Sequence, residues 1–158
     1  MPERPPPAAF AASCTDSWEN AAGGSWMVGS NWSSGSVPSS GDDVCIEVAG
    51  SYTVTLASSV SVRSLMVGNG SNSGTQSLLV TSAGGASPSL SLAGDSSIGV
   101  SGQLELDSPV SEPSVQLVAV STATVTDDGD LLVAGDGGPA DYLRAVKGKV
   151  AGLAFEKR

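Results

Sequence analysis

The chain has 158 residues, 40% of them hydrophobic and 15% charged, with a formal net charge of −9 and no histidine. That charge offers no cationic stripe to neutralise phosphates, which excludes nucleic acid and disfavours an anionic membrane surface. No apolar run approaches the ~20 residues of a spanning helix, and without histidine the Ser-His-Asp and Cys-His catalytic sets and the usual zinc sites fall away.

Glycine (20), proline (9) and serine (28) make the chain dense in turn formers, yet its hydrophobic share is too high for disorder. The apolar residues come in short runs of Val, Leu and Ala, the pattern of many short strands with frequent turns. With so few charges, the surface is left to Ser, Thr, Asn and Gly, as is common in exported β proteins.

Residues 1–13 read as a disordered leader or the residual end of a signal peptide. Ala9-Phe10-Ala11 has the small-x-small form of a cleavage site, but Met1 to Pro7 lack the apolar stretch a signal needs. Residues 14–43 form a tryptophan-rich N-terminal cap holding Trp18, Trp26 and Trp32 among turn residues such as Gly23-Gly24-Ser25. Cys14 and Cys45 are the two cysteines, and in a chain of export character they are expected to form a disulfide. Closing that loop contributes roughly 3–4 kcal/mol on the chain-entropy estimate.

The first clear strand is Val44-Cys45-Ile46-Glu47-Val48. Further strands follow at Tyr52–Leu56, Ser64–Gly68, Ser77–Val80, Ser89–Gly94, Gln103–Asp107, Val115–Val120 and Asp130–Gly135. Their leading residues recur every 12 to 14 positions, and alternate ones fall into two series, Leu65-Leu90-Leu117 and Leu78-Leu104-Leu131, with steps of 25 to 27. A period near 26 with two or three strands per period is what a parallel β-helix, or β-solenoid, requires: each coil stacks on the last and pairs strand with strand. Residues 44–138 are therefore read as solenoid coils, about three of them from Tyr52 onward. An antiparallel β-sandwich is the competing fold, since it too shows short strands at close intervals. Residues 139–158 carry five of the seven basic side chains. Tyr142, Leu143, Val146, Val150 and Leu153 fall at helical spacing, so this stretch is expected to be a basic helical tail, cap or linker.

The stretch Gly24-Ser25-Trp26, Asn31-Trp32-Ser33, Val37-Pro38, Gly41-Asp42-Asp43-Val44, Tyr52–Leu56 and Ser64–Gly68 resembles the opening of right-handed parallel β-helix regions. Such regions occur in bacterial extracellular adhesins, autotransporter passengers and related pectin-lyase-like surface proteins. The resemblance implies a right-handed solenoid whose tryptophan segment caps the first coil and whose Pro-x-x-Gly-Asp turn launches the first strand. It covers about residues 24–68. Those regions usually run for many more coils, so continuation into a longer solenoid is also implied.

Paired carboxylates are the remaining route to catalysis. Asp42/Asp43, Glu105/Asp107 and Asp127/Asp128/Asp130 are the clusters, and Glu105 and Asp107 share one strand face that is expected to be solvated. Arg63 is the sole basic residue of the coils, too little to neutralise a uronate. Thr126-Asp127-Asp128-Gly129-Asp130 and Asp136-Gly137 offer oxygen ligands of the kind Ca²⁺ takes, but they match neither an EF-hand loop nor the nonapeptide calcium repeat. No catalytic, cofactor-binding or metal residue is assigned, and the chain is not expected to be an enzyme. Trp18, Trp26 and Trp32 either bury themselves over the first coil or stack on sugar rings. The first option suits a structural or adhesive module, secreted or at a cell surface, meeting surface glycans or other extracellular proteins. The second suits a carbohydrate-binding module of a secreted polysaccharide-active protein.

Overall fold

A strand reading Tyr52-Thr53-Val54-Thr55-Leu56 must turn Tyr52, Val54 and Leu56 to one side and the threonines to the other. In the computed structural model the first three are buried and Thr53 is exposed. The structure describes residues 14–68, 74–82, 88–108, 115–120, 124–135, 142–146 and 149–151. Along these run fifteen strands. Of the first three, β1 (Asp16–Ser17) lies ahead of an incomplete opening coil formed by β2 (Gly24–Ser25) and β3 (Asp43–Ile46). Three coils follow: β4 (Tyr52–Leu56), β5 (Val60–Val62) and β6 (Ser64–Val67); β7 (Gln76–Thr81), β8 (Ser89–Leu92) and β9 (Ser96–Ile98); β10 (Gly102–Ser108), β11 (Gln116–Val120) and β12 (Thr124–Asp127). Then come β13 (Asp130–Gly135), β14 (Tyr142–Val146) and β15 (Lys149–Ala151), a further strand for each face.

Each strand pairs in parallel with its counterpart one coil away, giving three sheets: β1-β3-β6-β9-β12-β15, β2-β4-β7-β10-β13 and β5-β8-β11-β14. The chain is a β-solenoid with a repeat near 26 residues, as the spacing predicts. Every strand-to-strand pairing among the described residues is parallel, which removes the antiparallel sandwich.

Register decides which apolar residues stack. Val54, Leu78, Leu104 and Leu131 share one row, and Leu56, Val80, Leu106 and Val133 the next. The Leu78-Leu104-Leu131 series was legible in the spacing; the other series was half right. Leu90 and Leu117 are partners, but their predecessor is Val60 on β5, while Leu65 lies on a different face, paired with Val44. Leu78, Leu90, Leu92, Leu106 and Leu117 are fully buried, each worth about 1.5–3 kcal/mol of burial.

The tail departs from expectation. Tyr142–Val146 and Lys149–Ala151 are not a helix but β14 and β15, pairing with β11 and β12. Short segments beside an exposed ladder gain backbone partners as strands that a glycine-interrupted helix would lack. The rest of residues 139–158 and all of residues 1–13 lie outside the described residues, and so does Asp136-Gly137.

The corners carry the ladder onward. Gly68 N–H donates to Ile46 O at 2.8 Å, Gly99 N–H to Val67 O at 2.8 Å and Asp128 N–H to Ile98 O at 2.9 Å. At this corner a Cβ on Gly102 would run into Val67 O, and one on Gly129 into Gly99 O. At another corner the buried Gln76 spans three coils: its Nε2 donates to Gly50 O at 2.8 Å and its Oε1 accepts from Ser101 Oγ at 2.6 Å.

Candidate functional site

The N-terminal end of the solenoid gathers the tryptophans, the cysteines and two glutamates. Trp18 continues β1, its N–H bonding Cys45 O at 2.9 Å, and Trp26 continues β2, its N–H bonding Thr55 O at 2.9 Å. A short 3-10 turn, Gly29–Asn31, brings Trp32 back to an antiparallel bridge with Trp18. Asn31 braces the loop, accepting from Asn20 Nδ2 at 3.0 Å and donating to Ser25 O at 3.1 Å.

The three indoles interlock edge to face. Trp32 lies 5.0 Å from Trp18 and 4.8 Å from Trp26 between ring centroids, the geometry in which ring quadrupoles attract. Trp18, Trp26 and Trp32 are 2%, 0% and 2% exposed and belong to the same apolar cluster as Val54 and Leu78. Trp18 Nε1 donates to Asn20 O and Trp32 Nε1 to Trp26 O, at 2.6 and 2.8 Å, whereas buried Trp26 Nε1 has no hydrogen-bond partner. Trp18, Trp26 and Trp32, the residues offered for sugar stacking, lie here over the coil end: an open coil end exposes apolar interior, and covering it is a large gain for these rings.

Cys14 and Cys45 form a disulfide, 31 residues apart in sequence with Cα atoms 5.8 Å apart. It pins Cys14, just ahead of β1, to β3 and suits an oxidising compartment. Asp16, in register with Val44, is 1% exposed. Its carboxylate accepts from Ser33 Oγ (3.2 Å), Ser34 N–H (3.0 Å) and Ser34 Oγ (2.8 Å), tying the tryptophan loop to β1.

Beside the disulfide an open groove of about 660 Å³ is lined by Ser17, Trp18, Glu19, Cys45, Glu47 and Val48. Burial pushes the Glu47 carboxyl above its ordinary value. Tyr52 is pushed up to about 12, chiefly by burial and then by the nearby Glu47 charge. Glu47 Oε2 lies 4.0 Å from Cys14 Sγ.

The other acidic clusters sit apart from this groove. Asp42 accepts from Ser39 N–H, Thr15 Oγ1 and Ser39 Oγ, which hold its carboxyl below the ordinary range. Asp43 is held low chiefly by the Arg63 guanidinium, with which it forms a salt bridge. Glu105 and Asp107 point outward along β10, half-buried between neighbouring rows. Asp127 closes β12, Asp130 opens β13, and Asp128 and Asp130 are exposed, so the acidic run is a turn between two faces. Outward rows elsewhere are short and polar, such as Thr53-Ser77-Gln103, where Ser77 Oγ donates to Gln103 Oε1 at 3.0 Å.

Asp16 and Glu47 went unremarked in the sequence. Glu47 was within reach, because Cys45-x-Glu47 places both on one strand face. Asp16 was not, because Asp16-Ser17 reads as polar loop and only the pairing of β1 with β3 turns it inward. Among the described residues no helix is long and apolar enough to cross a membrane. No protein family, curated protein sequence or solved structure matches the chain.

Proposed function

We propose that the chain is a non-catalytic structural or adhesive module of an exported protein, secreted or displayed at a cell surface, that meets glycans or extracellular proteins through the polar rows on its sheets. The observation carrying this reading is the burial of Trp18, Trp26 and Trp32 in the cap, which spends the chain's largest aromatic surfaces on closing a coil end. The disulfide supports the exported setting. Extended rows such as Thr53-Ser77-Gln103 present hydroxyl and amide groups on a rigid frame, suited to many weak polar contacts.

The test is to immobilise the full chain and screen it against a glycan panel and extracellular-matrix proteins, with reducing-end release from polysaccharides followed in parallel. Saturable binding without turnover, weakened by charged substitutions at Thr53, Ser77 or Gln103, is expected. Polysaccharide cleavage would overturn the non-catalytic reading. Glycan binding abolished by a tryptophan substitution that leaves stability unchanged would favour a carbohydrate-binding module.

A further inference from the structure

Cys14, Cys45 and Glu47 form the one group of three metal-capable side chains whose ligand atoms all lie within 4.8 Å of one another among the described residues. We propose that this disulfide corner is a redox-gated metal site: once Cys14 and Cys45 are reduced, their two sulfurs and the Glu47 carboxylate hold one divalent cation of the zinc class.

The geometry favours it. Zinc takes sulfur at about 2.3 Å and carboxylate oxygen at about 2.0–2.2 Å, so a tetrahedral ion sets a sulfur and an oxygen ligand about 3.6 Å apart, within about half an ångström of the spacing found here. Glu47 Oε2 and Cys14 Sγ are 4.0 Å apart. A Cα–Cα distance of 5.8 Å between the cysteines leaves room for the sulfurs to part by rotation about χ1 without moving β3. Cys45 and Glu47 both line the open groove, so solvent can reach an ion held between them and supply its fourth ligand. Two thiolates and a carboxylate are soft and anionic enough to select zinc over Mg²⁺ or Ca²⁺, which prefer all-oxygen shells.

The step balances simply. A dithiol reductant supplies two electrons; the Cys14–Cys45 S–S bond breaks, each sulfur takes up a proton, and the reductant leaves as its own disulfide. Zinc then displaces the two thiol protons to solvent. In the oxidised chain the sulfurs are bonded to each other and are no longer thiolate ligands, so the disulfide state alone decides whether metal is held.

The experiment titrates the full chain with Zn²⁺ against a chromophoric chelator, before and after reduction with a trialkylphosphine, which does not itself compete as a dithiol would. Co²⁺ substitution is read for the thiolate charge-transfer band. One Zn²⁺ per reduced chain is expected, with none on the oxidised chain and a roughly tenfold or greater loss of affinity in Glu47→Gln. Tryptophan emission of the zinc-loaded reduced chain should match that of the oxidised chain, because the cap stays closed. Uptake by the oxidised chain, absence of uptake by the reduced chain, affinity unchanged in Glu47→Gln, or a cap signal lost on reduction and not restored by Zn²⁺ would each overturn the proposal.

Discussion

Replacing Trp32 tests how the cap is held. Its ring is 2% exposed, touches both other indoles edge to face, and donates through Nε1 to Trp26 O at 2.8 Å. Truncation to alanine removes a buried aromatic, a change that costs about 3–5 kcal/mol. The two ring pairs, each worth about 0.5–1.5 kcal/mol, place this site in the upper part of that range. Against a total stability of about 5–15 kcal/mol, Trp32→Ala should leave the chain marginal. Phenylalanine separates the terms. Trp32→Phe keeps an apolar ring but leaves Trp26 O without its donor, whereas Trp26→Phe removes an N–H that has no partner. A buried hydrogen bond carries about 0.5–1.5 kcal/mol, and stranding one partner costs about 1–3 kcal/mol, so Trp32→Phe should destabilise more than Trp26→Phe by about 1–2 kcal/mol. Urea unfolding followed by far-ultraviolet circular dichroism measures both. Equal losses for the two phenylalanine variants, or a loss below about 1 kcal/mol for Trp32→Ala, would refute the packing argument.

Other consequences are as direct. Gly102→Ala and Gly129→Ala each drive a methyl group into a backbone carbonyl of the neighbouring turn; losses of about 1–3 kcal/mol or more are expected. Gly41→Ala, where a Cβ meets nothing within 4 Å, should stay within about 0.5 kcal/mol of the parent. Removing the 31-residue cross-link in a Cys14→Ser/Cys45→Ser variant should lower unfolding stability by roughly 3–4 kcal/mol, and a loss below about 1 kcal/mol would show that the opening coil is held without it. The Asp42 and Asp43 carboxyls are both held below their ordinary value, by Ser39 N–H first in Asp42 and by Arg63 first in Asp43. Their contribution is therefore present above the unfolded carboxylate value and is lost as pH falls through the lowered folded values. Acid unfolding of an Asp42→Asn/Asp43→Asn variant should show a shallower stability loss below about pH 4 than the parent, and an unchanged acid limb would count against this pairing.

How far the sequence could be read follows from strand length and from what faces inward. Strands β4, β7 and β10 run five to seven residues with apolar residues at alternate positions, and their spacing revealed both the solenoid and its period. Strands β5 and β9 have three residues each, and β9 buries Ser96 where another coil has Leu65. That serine is accommodated because its Oγ accepts from Leu65 N–H at 2.9 Å and donates to Gly94 O at 3.2 Å, a compensation composition does not reveal. Missing these strands left the number per coil open at two or three and put Leu65 into the wrong row. In the tail, Tyr142, Val146 and Val150 fit a helical wheel as readily as a strand, and only the ladder offered by β11 and β12 decides between them. The disulfide was legible from cysteine count and composition. The groove was not, because it depends on Ser17 lying in register with Cys45.

The central claim is that a parallel stack of coils is closed at its N-terminal end by three buried tryptophans. Fluorescence of the folded chain, with acrylamide quenching and a soluble-glycan titration, tests it most directly. Burial at 0–2% exposure should give blue-shifted emission that resists acrylamide and ignores glycans. Red-shifted emission that acrylamide quenches freely, or a spectrum that shifts on adding a glycan, would contradict the cap and return the tryptophans to a binding surface.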